Sequence, residues 1–337
     1  MSTLGIESEV QKQLLDRRRR LQTAIAQKGD AAQFRELLEQ VDAALDRVDQ
    51  GTYGICESCH ETIEQDRLER NPLIRYCLDH LTAPERQALQ DDLDLALRIQ
   101  QNLLPNREFR GAGWEAYYHY EPLGPVSGDY CDLVAEDDKS IFFLLGDASG
   151  KGVAASLLMS QLHAVFRTLM ALRLSPGHLL ERANQLFCEF MLPGQYATVV
   201  CGRADDLGKI EIANAGHCLP LVLRNGQNIT VQNSTFPLGL FCESEYTTTT
   251  LQLGNDEGLL LYSDGLVEAN NSSGDEYGED RLLRLFMNCN GRTPRELIEN
   301  CLEDLRKFQL GQARKDDLTV LSILRTAASG AASARVA

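Results

Sequence analysis

Residues 141–158 read I-F-F-L-L-G-D-A-S-G-K-G-V-A-A-S-L-L, and the fold hinges on them. An unbroken apolar run closed by Gly146 and Asp147 predicts a buried strand over 140–145. The small and polar residues 148–151 predict a turn, and the spacing after Gly152 predicts a helix to about residue 172. Asp147 therefore stands just past a strand end. Ala148 and Gly150 beside it leave backbone carbonyls open to an ion or water. The string G146-D-A-S-G-K151-G152 is one residue short of a phosphate-binding loop and has Gly where Ser or Thr follows the Lys, so it does not predict one. Neither Ser149 nor Ser263 stands in a G-x-S-x-G elbow, which argues against a serine hydrolase.

The strand-end pattern recurs downstream. Apolar runs at 197–203, 210–213, 219–223, 258–262 and 318–324 predict strands, with helices at about 176–191, 279–288 and 294–309. Many strands with a few grouped helices predict an α+β domain of layered sheets. Asp264 follows one run, Asp316 precedes another, and S-G-D129-Y-C-D132 adds a further carboxylate string. A single Asp beside Gly is ordinary turn chemistry; four strings, three of them abutting apolar runs, point to more. Carboxylates gathered at one edge repel unless cations sit between them, and oxygen donors suit Mg²⁺ or Mn²⁺. His217, in N-A-G-H217-C-L-P, is expected to stabilise a strand-to-strand turn.

Upstream of residue 107 the pattern is helical. Ile6, Val10, Leu14, Leu21 and Ile25 predict a helix over 6–28. Phe34, Leu37, Leu38, Val41, Leu45 and Val48 predict another over 31–49, and the turn at 28–32 folds the two into an antiparallel hairpin. A third helix, 83–104, opens at Pro84 and closes before Pro105. It carries one apolar stripe of Leu89, Leu93 and Leu97 and a second of Leu95, Ile99 and Leu103, about 200° away. Both faces need cover, so a homodimer through this helix is expected.

Between hairpin and third helix lies C56-E-S-C59-H60, and seventeen residues separate Cys59 from C77-L-D-H80. This spacing predicts a closed, structural zinc site of Cys56, Cys59, Cys77 and His80. His60 is the alternative fourth ligand. The first pair also fits a c-type haem attachment motif, which leaves Cys77 and His80 idle. The other seven cysteines, from Cys131 onward, are expected as reduced packing residues.

Thirty-three basic against 49 acidic residues give a net charge of −16 over 337 residues. That argues against gripping nucleic acid or an anionic membrane with the whole surface, although Arg17, Arg18, Arg19 and Arg20 form a basic run. A hydrophobic share of 43% excludes wholesale disorder. No apolar run reaches the roughly 18 residues of a membrane span, and the N-terminus carries no apolar signal segment. A cytoplasmic protein is expected, with a disordered tail at 327–337.

Residues 54–80 resemble the DksA/TraR zinc finger through Y53-G-I-C-E-S-C, R67-L-E-R-N-P and Y76-C-L-D-H. His80 stands where that family commonly has Cys. The turn at 28–32 lacks the paired aspartates by which its coiled coil reaches RNA polymerase. A non-catalytic transcription regulator bound to RNA polymerase is the alternative function this resemblance implies. Residues 107–325 resemble the SpoIIE/RsbU branch of the PPM (metal-dependent, type 2C) serine/threonine phosphatases. The carrying strings are S-G-D129-Y-C-D132, G-D147-A-S-G-K-G-V-A-A-S-L, N-A-G-H217-C-L-P-L, S-D264-G-L-V-E-A and D316-D317-L-T-V-L. P-L-G-L at 237–240 and the helix L95-A-L-R-I-Q-Q-N-L-L-P fit as well.

The second resemblance implies an αββα sandwich over 107–326, preceded by hairpin and finger at 1–82 and a linker and dimerisation helix at 83–106. It implies two Mn²⁺ or Mg²⁺ ions that activate a water. Asp147 would bridge them, assisted by the Ala148 carbonyl; Asp129 would hold one ion, and Asp264 and Asp316 the other. Asp132 and Asp317 would be alternatives or supports behind these ligands. The implied reaction removes phosphate from phosphoserine or phosphothreonine on a partner protein, the implied substrate being a STAS-domain anti-sigma-factor antagonist. Ser149 stands where the eukaryotic branch has a His assigned as general acid, and Lys151 is the candidate phosphate clamp.

Overall fold

The computed structural model describes residues 3–28, 32–190, 194–224, 227–231, 234–287 and 293–326. The tip of the expected hairpin turn, 29–31, and the expected tail, 327–337, lie outside them. The chain divides into two compact units, Met1–Asp92 and Leu93–Ala337.

In the first unit α1 (Thr3–Lys28) and α2 (Ala32–Asp49) pack through Val10, Leu14, Leu21, Val41, Ala44 and Leu45. Gly51 and Gly54, both at positive φ, end the hairpin. A loop-rich segment follows, with α3 (Gln65–Arg70) and a 3-10 turn at Leu78–His80. Then α4 (Ala83–Leu103) starts on a capping box, the Glu85 N–H donating to Thr82 Oγ1 while the Thr82 N–H donates to Glu85 Oε2. The boundary between the units falls inside α4. Leu103 and Leu104 pack into the second unit, whereas Leu95 and Ile99 are 49% and 53% exposed.

The second unit runs β1 (Glu108–Gly111), β2 (Trp114–Glu121), β3 (Asp129–Asp137), β4 (Ser140–Ala148), α5 (Gly152–Met170), α6 (Pro176–Phe190), β5 (Ala197–Asp205), β6 (Lys209–Ala215), β7 (Leu221–Arg224) and β8 (Gln227–Thr230). It continues with β9 (Thr249–Gln252), β10 (Gly258–Tyr262), α7 (Asp264–Val267), α8 (Glu279–Met287), α9 (Pro294–Gln309) and β11 (Leu318–Arg325). One antiparallel sheet has the order β1-β2-β11-β10-β7-β8, the other β3-β4-β5-β6-β9. Phe143, Leu145, Val200, Ile212, Leu261 and Leu321 fill the space between the sheets. Met159, Leu162 and Phe166 of α5 and Leu180 and Phe187 of α6 cover the outer face of the second sheet. On the first sheet, α8 and α9 pack through Leu282, Phe286, Ile298 and Leu305. This is the expected αββα layering. α5 is long and apolar enough to cross a membrane by composition, but its apolar side chains are spent on the second sheet.

One expectation is corrected. Cys188 and Cys242 are not separate packing residues; they form a disulfide, with Cα atoms 5.9 Å apart. Asn184, one turn earlier on α6, brings the two together: its Nδ2 donates to the Phe241 carbonyl at 2.8 Å and its Oδ1 accepts from the Gly239 N–H. Cys131, Cys201 and Cys301 are buried thiols outside any disulfide, as expected.

Candidate functional site

Asp129 opens β3 and Asp147 nearly closes β4, and the two are directly paired across the antiparallel ladder. On the other sheet β10 pairs with β11. Asp264 follows β10 as the first residue of α7, and Asp316 stands just before β11. Neighbouring strand ends from both sheets thus bring the four aspartates to one edge of the sandwich. Two glycines make the approach possible. A Cβ on Gly128 would lie 2.9 Å from the Ala148 carbonyl oxygen and 3.3 Å from Asp147 Oδ1; one on Gly265 would collide with the Asp317 carbonyl.

Asp147 and Asp264 line a cavity of about 420 Å³ together with Thr198, His217, Cys218 and Glu279. Asp316 lines an adjoining one of about 150 Å³ with Gly265 and Glu268. Burial, then the charges of Asp129, Asp264 and Asp316, push Asp147 up to about 8. Asp129, 1% exposed, is pushed up to about 7 by burial, against the hydrogen bond that Thr319 Oγ1 donates to its Oδ2. Burial and the charge of Asp316 raise Asp264 too. Among the described residues no basic side chain forms an ion pair with Asp129, Asp147 or Asp264; Lys151 reaches Asp316, with Nζ 2.8 Å from Oδ2. Oxygen donors that raise one another's pKa around a cavity fit hard divalent cations.

The doubled aspartates separate cleanly. Asp132 is three residues from Asp129 and so points to the opposite face of β3. There, fully buried, it pairs with Arg167 of α5, Nε to Oδ2 at 2.7 Å, and accepts from the Tyr130 hydroxyl. This removes Asp132 as the alternative to Asp129. Asp317 accepts from the backbone N–H groups of Leu123 at 2.6 Å and Gly128 at 2.9 Å, so it holds the loop leading to Asp129.

His217 makes the expected turn contacts: its N–H donates to Asn214 Oδ1, and Asn214 Nδ2 donates to the His217 carbonyl. Its ring also bonds Thr198 through Nδ1 at 2.8 Å and lines the Asp147 cavity. Burial pushes its pKa down to about 4, against the pull of the Tyr262 carbonyl.

In the first unit the donor atoms of Cys56, Cys59, Cys77 and His80 all lie within 4.8 Å of one another. Cys59 and Cys77 sulfurs are 3.7 Å apart and Cys77 Sγ is 3.3 Å from His80 Nδ1. A tetrahedron with zinc–sulfur bonds near 2.3 Å sets sulfurs about 3.8 Å apart, so the set fits Zn²⁺. Burial raises the Cys56 thiol, but backbone hydrogen bonds from Cys77, Cys59 and Ser58 outweigh it and bring it down to about 6, towards the thiolate that binds metal. His60, at φ 61°, belongs to the knuckle turn and not to the donor set.

The family model for SpoIIE (stage II sporulation protein E) matches residues 137–326, more than half the chain. The chain belongs to the SpoIIE family. A second model, the prokaryotic dksA/traR C4-type zinc finger, matches residues 51–79 and ends one residue before His80. IcfG of Synechocystis is 26% identical over 69% of this chain, which spans 41% of that protein's length. The phosphoserine phosphatase RsbU of Bacillus subtilis is 24% identical over 71% of this chain and 72% of its own. The SiaA-PP2C domain of Pseudomonas aeruginosa, 20% identical, superposes with a TM-score of 0.63 over 73% of this chain and all of its own, a shared fold. In this SpoIIE-family chain, sequence reasoning missed the hydroxyls that hold the backbone around the site. Ser127 Oγ accepts from the Asp129 N–H, and Ser263 Oγ accepts from the N–H of Thr319, whose own hydroxyl donates to the Asp129 carboxylate. Their signal was adjacency to the aspartates, which by itself does not separate them from ordinary turn residues.

Proposed function

We propose that this chain is a divalent-metal-dependent phosphatase acting on phosphoserine or phosphothreonine of a partner protein. The observation that carries the reading is the gathering of Asp129, Asp147, Asp264 and Asp316 at one edge, where burial and mutual repulsion raise the pKa of the first three. These four, with the Ala148 carbonyl, would hold two Mn²⁺ or Mg²⁺ ions. Such ions supply an acidified water and positive charge against phosphoryl oxygens. The chain's own residues set the geometry. Thr319 fixes the Asp129 carboxylate, Asp317 anchors the loop before it, and Lys151 orients Asp316. Ser149, next to Ala148, accepts the Tyr196 N–H and keeps the turn after Asp147 closed on β5. His217 is neutral at physiological pH and hydrogen-bonded, so it braces the cavity wall.

Similarity to RsbU supports a phosphoserine substrate, and within that class we propose a STAS-domain anti-sigma-factor antagonist in a cytoplasmic partner-switching system. The expected result is hydrolysis of p-nitrophenyl phosphate and of such a phosphoprotein that needs Mn²⁺ and stops with EDTA. A chain that binds Mn²⁺ and hydrolyses neither would leave the domain a scaffold and favour the polymerase-binding alternative.

The exposed Leu95 and Ile99 support dimerisation through α4. Light scattering is expected to give a dimer for the full chain and a monomer for the Leu95→Glu, Ile99→Glu double variant. A monomeric parent would end this part of the proposal.

A further inference from the structure

Gln100 is the one buried residue of α4, 3% exposed, although Ile99 beside it is open. A buried amide needs partners, and Gln100 finds both on one residue. Its Nε2 donates to the Ser127 carbonyl at 2.7 Å, and its Oε1 accepts from the Ser127 N–H at 3.0 Å. Ser127 is itself fully buried, and its Oγ accepts from the Asp129 N–H at 3.0 Å. The intervening Gly128 gives its N–H to Asp317 Oδ2 at 2.9 Å and takes the Ala148 N–H on its carbonyl at 3.1 Å. Segment 127–129 is therefore seated against 147–148 so closely that a methyl group on Gly128 would not fit. One fastener of this seat lies on α4, outside both sheets.

We infer that Gln100 is a positioning residue for Asp129, fixing the Ser127 backbone and through it the Asp129 amide, and so setting how tightly the site holds a divalent cation. The inference rests on the proposed reading of Asp129 and Asp147 as metal ligands. Gln100 itself touches neither ion nor substrate. Sliding α4 by one residue turns its face by about 100°. That takes the amide off Ser127 and leaves a buried N–H and carbonyl unpaired. Because α4 begins in the first unit and ends in the second, cation affinity is tied to how this helix is placed.

The test is direct Mn²⁺ binding by calorimetry on the full chain, with thermal unfolding in EDTA alongside. Gln100→Met keeps length and helix propensity but loses both hydrogen bonds. It is expected to weaken Mn²⁺ binding about tenfold or more, as when groups behind a metal ligand are removed. Gln100→Glu still accepts from the Ser127 N–H and is expected to fall between it and the parent. Arg281→Ala, which breaks the ion pair to Asp304 between α8 and α9, is the control: lower stability with unchanged Mn²⁺ affinity. A folded Gln100→Met chain that binds Mn²⁺ within twofold of the parent overturns the inference, as does an Arg281→Ala chain that weakens binding equally. A parent that binds Mn²⁺ but hydrolyses no phosphoester overturns the phosphatase reading alone, and Gln100 is still judged by affinity. A parent that binds no Mn²⁺ overturns both.

Discussion

Asp147→Asn is expected to lower Mn²⁺-dependent phosphoester hydrolysis at least about a thousandfold, while making the metal-free chain more stable at neutral and alkaline pH. The activity loss follows from removing the carboxylate expected to touch both ions. Cation stabilisation of the transition state is worth several kcal/mol, and about 4 kcal/mol is a thousandfold in rate. The stability gain follows from the pKa, which burial and neighbouring aspartates raise from 3.8 to about 8. An acid whose pKa is raised on folding contributes its full stability below its unfolded value. That contribution is lost as pH climbs through the folded value. Between about pH 4 and pH 8 the metal-free chain should therefore lose stability, with Asp129, raised to about 7, adding to the slope. Asn keeps the volume but never ionises, so thermal unfolding in EDTA should show a flatter decline above pH 6. Added Mn²⁺ should raise the parent's melting temperature and leave the variant's nearly unmoved. Activity within tenfold of the parent would remove Asp147 from the centre of the site. An unchanged pH slope would mean that its carboxylate is not held in a repulsive cluster.

The sequence made β10 readable to the residue because Gly258–Tyr262 is buried along its whole length, and a run with no polar interruption has only one reading once a glycine bounds it. β3 was invisible for the opposite reason. In D-Y-C-D-L-V-A-E-D the two faces serve different layers: Cys131 and Leu133 enter the space between the sheets, while Tyr130 joins the α5 layer. Asp132 is tolerable there only because Arg167, thirty-five residues later, arrives to neutralise it. No local pattern announces such a partner. The same gap left Asp129 and Asp132 interchangeable in the sequence, since choosing between them needs the phase of a strand that was not yet assigned. β1, β8 and β9 are four residues each at or near sheet edges, too short to show a period. Gln100 broke the apolar stripes of its helix without signalling that it faced a backbone rather than solvent. The cysteine knuckle needed no such help. Spacing within one short segment brings Cys56, Cys59, Cys77 and His80 together, and only the choice of His80 over His60 waited for the fold.

Zinc removal, or Cys77→Ser, is expected to unfold the segment from residue 51 to 82 while the Leu93–Ala337 unit stays folded. Among the described residues the segment's own apolar core is Cys56, Ile63 and Cys77, with Cys59, Leu68, Ile74 and Tyr76 partly buried against them, far too little to offset the entropy of ordering some thirty residues. Polar ties to α2 and within the loop are more numerous, among them Arg75 with Glu57 and the Arg67 guanidinium on the Tyr76 carbonyl, but each adds only about 1 kcal/mol net. Arg47 donates to the Ile74 carbonyl at 3.0 Å, and the Tyr53 hydroxyl donates to the Pro72 carbonyl at 3.1 Å. A structural Zn²⁺ contributes about 10–16 kcal/mol in peptides of this kind, so the metal decides whether the segment folds. Hydrogen exchange should show 51–82 losing protection in a strong chelator, with α5 and β4 unchanged. Acid should release the metal, because the thiolates and the imidazole that bind it take up protons in its place. His80→Cys, which restores the four-cysteine set of the matching finger family, is expected to hold Zn²⁺ at least as tightly. It tests the fourth ligand without deleting it. If Cys77→Ser left exchange in 51–82 untouched, the segment would be held by Arg47 and Tyr53 rather than by a metal. The four donor atoms within 4.8 Å would then be a coincidence of packing.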